Sequence, residues 1–290
     1  MKKFKLMLLM FVMALLLASC EKPLKLQYTF KDGSEFKQTL NVKMDMTMTS
    51  QGQKMNTLTD MEVVTKFKVK KAGENVDLDS SLEKISMNME VMGQKIKVGS
   101  DLPIVDNPKT QEEMYGKMMN PMFKGMTGKP FTFTLDSKGK LIAVKGVENL
   151  YAEMVASLPV EQREQAKVQM QGLMNEEVLK SNFESSTITF PDKELKIGDT
   201  FEQAVNKSGA IPMTGKLIYT IKEIKADEVI LDVKGNVESG NSEAKVAGDI
   251  TGNLTLNKET AWTKSGNITY NLKGARNGNE LDIKMLVTIK

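Results

Sequence analysis

The stretch NVKMDMTMTSQGQKM, residues 41–55, sets Met44, Met46 and Met48 on every second position, with Lys43, Asp45 and Thr47 between them. A period of two is the mark of a half-buried β-strand, in which alternate side chains face opposite sides of a sheet. Gln51-Gly52-Gln53 then reads as a hairpin turn that brings Met55 back toward Met48. Working outward, Leu40 and Val42 extend the same apolar stripe, and Ile85, Met87, Met89 and Val91 repeat the pattern ahead of a similar turn at Gly93-Gln94-Lys95. Leu281, Ile283, Met285, Val287 and Ile289 alternate in the same way to the end of the sequence, which predicts a strand that completes a sheet.

The N-terminus has a different grammar. Lys2, Lys3 and Lys5 precede an uncharged run from Leu6 to Leu17, too short for a comfortable spanning helix, and the run ends in Leu17-Ala18-Ser19-Cys20. This resembles the lipobox of bacterial lipoproteins, in which the signal peptide is removed before the cysteine and the cysteine is acylated. Residues 1–19 are therefore expected to be a signal peptide and Cys20 the site of lipidation, with more than one acyl chain holding the protein to a membrane it does not span. Glu21 after the cysteine, in place of the aspartate that the resemblance associates with inner-membrane retention, points to the outer membrane, on its periplasmic face or at the cell surface.

Loss of residues 1–19 removes three lysines and leaves 37 basic and 37 acidic side chains. A neutral chain with no Lys/Arg-rich run has no electrostatic footprint for nucleic acid. With the single cysteine committed to lipid, no disulfide remains, so stability has to come from the core.

The chain also repeats itself. FKDGSEFKQ at 30–38 matches LKIGDTFEQ at 195–203, pairing Gly33 with Gly198, Phe36 with Phe201 and Gln38 with Gln203. FKVKKAGENVDLD resembles YTIKEIKADEVILD with Val69 against Ile221, and TLDSKGK resembles TLNKETA with Leu135 against Leu256. The shrinking offset between the halves places extra residues in the first, at the SQGQK hairpin and around residues 100–128.

Helical signals occupy the middle of the chain. TQEEMYGKMMNPMFKGM starts with an N-cap threonine, Thr110, and acids in its first turn, and is expected to break at Pro121. VENLYAEMVASL and the segment after Pro159 form a predicted helical linker, in which Val160, Ala166, Met170, Leu173 and Met174 share one face. The expected fold class is α+β: two related, curved antiparallel sheet units at 20–145 and 186–290, with a helical insert in the first and a helical linker at 146–185 packed against them.

The lipobox, Phe30-Lys31-Asp32-Gly33 with Phe36, the methionine-rich hairpin, GKPFTFTLDSKGKLIAVKG at 128–146 and FPDKELKIGDTF at 190–201 together resemble an uncharacterised family of Gram-negative envelope lipoproteins. The resemblance covers the whole chain after the signal peptide and implies no catalytic residues and no cofactor. More loosely, the expected architecture resembles lipoprotein-carrier half-barrels with a hydrophobic cavity, an analogy of fold only.

The residues themselves argue against an enzyme. There is no histidine, which removes the commonest general base, the Ser-His-Asp arrangement and nearly all zinc sites. Ser81-x-x-Lys84 and Lys264-Ser265-Gly266 have the spacing of serine β-lactamase-like elements, but Ser81 leads into a strand and not a helix start. Asp77 and Asp79 alternate on a strand and read as its solvated side.

Three readings of the methionines follow. Thioethers at Met44, Met46, Met48 and Met55 suit Cu(I). The same residues with Met87 and Met89 make ordinary core, or a deformable apolar groove, since methionine adapts to varied apolar partners better than it specifies rigid packing. The expected function is a non-enzymatic, lipid-anchored envelope protein that takes a lipid or amphiphile in a methionine-lined groove. The alternatives are a structural or assembly lipoprotein with a filled core and an envelope protein partner, and Cu(I) binding. Trp262 and Tyr270 could rim such a groove, but on alternating strands they are expected in the core or in cross-strand packing.

Overall fold

The computed structural model describes residues 23–290 apart from 72, 157, 159, 161, 162, 165–177, 179, 182, 185, 186, 208–211 and 240–243. Cys20, the signal segment and Ala166, Met170, Leu173 and Met174 of the predicted linker lie outside the described residues.

The first half contributes β1 (Glu35–Ser50), β2 (Gln53–Lys71), β3 (Asn75–Val91), β4 (Gln94–Gly99), helix α1 (Gln111–Met126), β5 (Pro130–Asp136), β6 (Leu141–Lys145) and helix α2 (Val147–Ala156). The second half contributes β7 (Thr200–Lys207), β8 (Met213–Ile224), β9 (Glu228–Ser239), β10 (Ala244–Asn257), β11 (Thr263–Arg276) and β12 (Asn279–Ile289). All twelve strands belong to one antiparallel sheet in the order β6-β5-β3-β2-β1-β12-β11-β10-β9-β8-β7, with β4 also paired to β3.

The expected α+β class is therefore corrected: the fold is mostly antiparallel β, one twelve-stranded sheet and not two sheet units with helices between them. The cause is the pairing of β1 with β12. Leu40 stands opposite Ile289, Met44 opposite Met285, Met46 opposite Ile283 and Met48 opposite Leu281, so the apolar stripes of the two halves join edge to edge. A strand pair of this length satisfies both exposed edges at once, which two separate units would leave open.

The helices are accessories. Thr110 does cap α1, accepting from the Glu113 N–H at 3.2 Å while the Glu113 carboxylate accepts the Thr110 N–H at 3.1 Å. The helix does not break at Pro121, however, but runs through it to Met126. It packs on β4 and α2, and the Asn120 amide oxygen accepts the Gly99 N–H at 2.9 Å.

At residue level the two halves share their geometry. Gly33 and Gly198 both have positive φ, and their N–H groups donate to Val69 O and Ile221 O at 2.9 and 2.8 Å. Phe36 stacks on Phe67 with centroids 5.1 Å apart, and Phe201 on Tyr219 at 5.0 Å. Register shifts follow Val69 and Ile221, and again separate Thr134 from Leu135 and Thr255 from Leu256.

The halves differ in curvature. On the inner face of β8–β11 stand Gly215, Gly235, Gly248, Gly252, Gly266 and Gly274, and a Cβ at each would run into the backbone of the neighbouring strand. Such close approach lets the sheet curl tightly round Leu217, Tyr219, Ile221, Leu231, Ile250, Leu254 and Leu256, all buried. No glycine occurs in β1, β2 or β3. Their inner faces carry methionines instead, and that part of the sheet stays open.

Two segments close the core. Leu24 and Leu195 exchange both backbone hydrogen bonds at 2.8 Å, Tyr28 N–H donates to Ser137 O at 2.7 Å, and Phe190 N–H donates to Lys138 O at 2.8 Å. Asp192 fastens this junction on the surface, with Lys25 at 2.6 Å and Lys138 at 3.0 Å. Hydrogen bonding from Lys25 first, and then from Lys138, holds the Asp192 carboxyl down at about 2, against an ordinary value of 3.8. A depressed carboxyl stabilises the fold above its unfolded pKa and loses that contribution as pH falls through the folded one. Asp192→Asn should therefore lower the urea midpoint at pH 5, and the difference from wild type should vanish as pH drops from about 3.8 toward about 2.

Candidate ligand-binding face

The register places all six methionines singled out in the sequence on one face. Met48 is directly opposite Met55, Met44 opposite Thr59 and Thr59 opposite Met89, while Met87 stands opposite Met61. Each is half-buried. Met46 and Met48 pack against the second-half core, whereas Thr57 and Thr59 interrupt the stripe on β2. Met61 and Met285 complete the wall and were missed as site residues. Their signal was present, because Met55-x-x-x-x-x-Met61 and Leu281 to Ile289 keep the same parity, but only the strand pairing shows that they are neighbours.

The thioethers are spread over β1, β2, β3 and β12 with Thr57 and Thr59 among them, on a soft apolar surface. Among the described residues no group of three or more His, Cys, Asp or Glu side chains could hold a metal ion.

Following this inner face toward the start of β1 leads to a cavity of about 250 Å³ at the junction of the halves. Leu40, Val63 and Ile289 belong to its wall and precede Val42, Met61 and Val287 on the same face. Phe131, Phe133 and Phe183, in ring contact through Phe133, line it together with Tyr28, Phe67 and Trp262. Trp262 lies edge-on to Phe36 and Phe67 at 5.2 Å and to Phe30 and Tyr28 at 5.9 and 6.1 Å, so the aromatic end is held rigid. Gln38, Thr65, Thr187 and Thr263 supply polar atoms, and among the described residues that line it there is no Asp, Glu, Lys or Arg. Tyr28 donates its hydroxyl to Ile188 O at 3.1 Å, and burial, reinforced by Tyr219, pushes its pKa far above the usual tyrosine range. It is a fixed neutral donor, not a proton-transfer group.

A concavity of about 720 Å³ lies on the opposite face. It crosses six strands between Lys43 and Asp45, Leu58 and Asp60, Asn88 and Glu90, Lys95 and Lys97, Thr269 and Asn271, and Lys284 and Leu286. These are the outward positions of each strand, so Met44, Met89 and Met285 contribute their backbone to its floor. A twisted sheet is saddle-shaped, hollow across one face and along the other, which gives the outer face a trough. Its walls are charges of both signs, with Leu58 and Leu286 at 40% and 37% exposure.

The enzyme-like spacings dissolve in the strands. Ser81 and Lys84 both lie in β3, and Lys84 Nζ is bound to Glu62 at 2.9 Å, a hydrogen bond that raises its pKa and keeps it protonated. Asp77 and Asp79 accept hydroxyl hydrogen bonds from Thr134 and Thr132, both at 2.7 Å, as cross-strand partners. Tyr270 lies beneath Lys207 Nζ, 5.4 Å from the ring centre.

Among solved structures, one described as lipid–protein interactions in lipovitellin aligns with 90% of this chain at a TM-score of 0.51 and 9% identity. The chain spans about a quarter of that protein's length, 25%. The translocator domain of the autotransporter NalP from Neisseria meningitidis aligns with 90% of this chain and 88% of its own at a TM-score of 0.34 and 6% identity. The first likeness is one of fold alone; the second carries no weight. No curated protein matches the sequence. A family model does match, over residues 73–263, well over half the chain and spanning both halves of the sheet: the protein belongs to the family of unknown function DUF6263.

Proposed function

We propose that this is a lipid-anchored cell-envelope protein that binds a lipid or other amphiphile on its methionine-lined inner face and has no enzymatic role. The observation that carries the reading is the contrast between the halves. Inner-face glycines curl β8–β11 round a sealed core, whereas β1, β2 and β3 present Met44, Met46, Met48, Met55, Met61, Met87 and Met89 half-exposed. A methionine surface repacks around apolar partners of varied shape. The likeness to lipovitellin supports the ligand class at the level of fold only. The lipobox ending in Cys20 supports attachment to the outer membrane, as a Gram-negative lipoprotein.

The sealed second half supports a second reading, a structural or assembly lipoprotein with a protein partner. Cu(I) binding rests on the thioethers alone.

Mass spectrometry of lipids co-purified with the full chain separates these readings. A folded, delipidated protein that neither retains nor takes up amphiphile would leave the structural role. Replacing Met44, Met46 and Met48 with leucine should cost under about 1.5 kcal/mol per site, because apolar volume is nearly kept. The triple variant should nevertheless bind amphiphile more weakly, since a stiffer wall adapts less. Tight stoichiometric Cu(I) uptake that the triple variant loses would establish the metal instead. Cys20→Ala should move the protein out of the membrane fraction.

A further inference from the structure

The two halves carry a glutamine at the same place, Gln38 and Gln203, and satisfy it differently. On β7, Gln203 Oε1 accepts the Thr189 N–H at 3.0 Å, while its Nε2 donates to Glu184 O at 3.0 Å and Thr187 O at 2.8 Å. The chain's own segment thus covers that side chain and supplies a peptide N–H to its carbonyl. Gln38 donates from Nε2 to Thr263 O at 3.1 Å. Because a carbonyl oxygen only accepts, this bond fixes which end of the amide is which and leaves Oε1 as the free end. Among the described residues no donor reaches Gln38 Oε1, and no buried side-chain atom is left without a partner, so this oxygen retains access to open space. Gln38 is itself a lining residue of the 250 Å³ aromatic cavity.

We propose that this cavity takes the head of an uncharged single-chain amphiphile, whose hydroxyl or amide N–H donates to Gln38 Oε1 as the Thr189 N–H does to Gln203, and whose alkyl tail lies along the methionine wall. The inference rests on the amphiphile-binding reading above. The lining selects the charge state. A carboxylate or ammonium placed among Phe131, Phe133, Phe67 and Trp262 finds no counter-ion among the described residues of the lining, and burying an unpaired charge is strongly unfavourable. Volume suits a small head such as a glyceryl ester, for which about 250 Å³ is open. Register sets the exit. Two residues along each strand, about 7 Å, lead from Leu40, Val63 and Ile289 to Val42, Met61 and Val287, and the next row holds Met44 and Met285.

The single tryptophan, Trp262, lines the cavity and reports its occupancy directly. The purified full chain is titrated with 1-monoolein, methyl oleate and oleate, reading Trp262 emission together with bound lipid by mass spectrometry. Monoolein should bind one per chain and shift the emission, and should bind more tightly than methyl oleate, which has no donor, or oleate, which is charged. Gln38→Met should weaken monoolein about tenfold, the effect of one hydrogen bond to a partly buried acceptor, and leave methyl oleate within about twofold. The comparison of the three ligands on the wild type needs no variant to fold. Monoolein bound without a change at Trp262, or equal affinity for monoolein and methyl oleate, would overturn the head-group site and leave the methionine wall as a binding surface. Failure of all three ligands to bind would overturn both.

Discussion

Gly274→Ala should destabilise the protein by about 3 kcal/mol or more, the upper end of what forced overpacking costs. The added methyl group would meet the carbonyl carbon and oxygen of Lys245 and the Cα of Val246, all of them backbone atoms of the neighbouring β10 strand. A flexible side chain could turn aside, but a backbone carbonyl held in the β10–β11 ladder cannot move without loosening the pairing of Val246 with Gly274 and of Lys245 with Ala275. Urea denaturation followed by far-UV circular dichroism measures the loss. The outer-face Leu286→Ala, at a side chain 37% exposed, serves as the comparison and should shift stability by much less. A midpoint for Gly274→Ala close to wild type would mean that the second half is not curled as tightly as these contacts require, and the contrast between a sealed half and an open one would fail with it.

The second large effect is expected from Leu78→Ala and Leu231→Ala. The two leucines occupy matching places in β3 and β9, opposite Val69 and Ile221, and both are 0% exposed. Each truncation should cost about 2–5 kcal/mol, the range for leucine deletion from a close-packed core. The form of the transition matters as much as its midpoint. Because β1 joins β12 along ten residue pairs from Leu40–Ile289 to Thr49–Glu280, the halves are parts of one sheet, and both variants should move a single cooperative transition. If Leu78→Ala lowered only the first of two resolved transitions, the halves would be behaving as separate units.

Much of the local structure was legible in the sequence. Period-two alternation located β1, the end of β3 and β12, and the match of Gly33 with Gly198 and Val69 with Ile221 anticipated equivalent turns and hydrogen bonds. The Thr110 cap was visible because a threonine followed by first-turn acids is written in the chain, and the structure adds the reciprocal Glu113 bond. Pro121 misled, since a proline signals a lost hydrogen bond but does not say whether the helix tolerates it. The predicted weight of helix misled further: α1 and α2 are real, but they sit beside the sheet and do not divide it.

The candidate site divides in the same way. That Met44, Met46 and Met48 share one side of their strand, and Met87 and Met89 one side of theirs, follows from parity alone, because side-chain direction within a strand depends only on counting residues; that these sets and Met55 form one face is decided by the register. Met285 as their neighbour and the cavity at Gln38 do not follow, nor does the meeting of Trp262 with Phe36 and Phe67. These depend on which strands lie side by side. The β1–β12 pairing brings together residues more than two hundred positions apart and leaves no local pattern to mark it. The glycines show the same limit: Gly274 is an ordinary small residue in the sequence, and it becomes a point of close approach only when the Lys245 carbonyl is placed against it. The sequence by itself determined the alternation of β1, the end of β3 and β12, and the repeat, all of them properties of spacing along the chain. Only the tertiary structure decided that the halves form one sheet, closed where glycine lets backbones meet and open where methionine lines it, because strand pairing and curvature are relations across space that spacing does not encode.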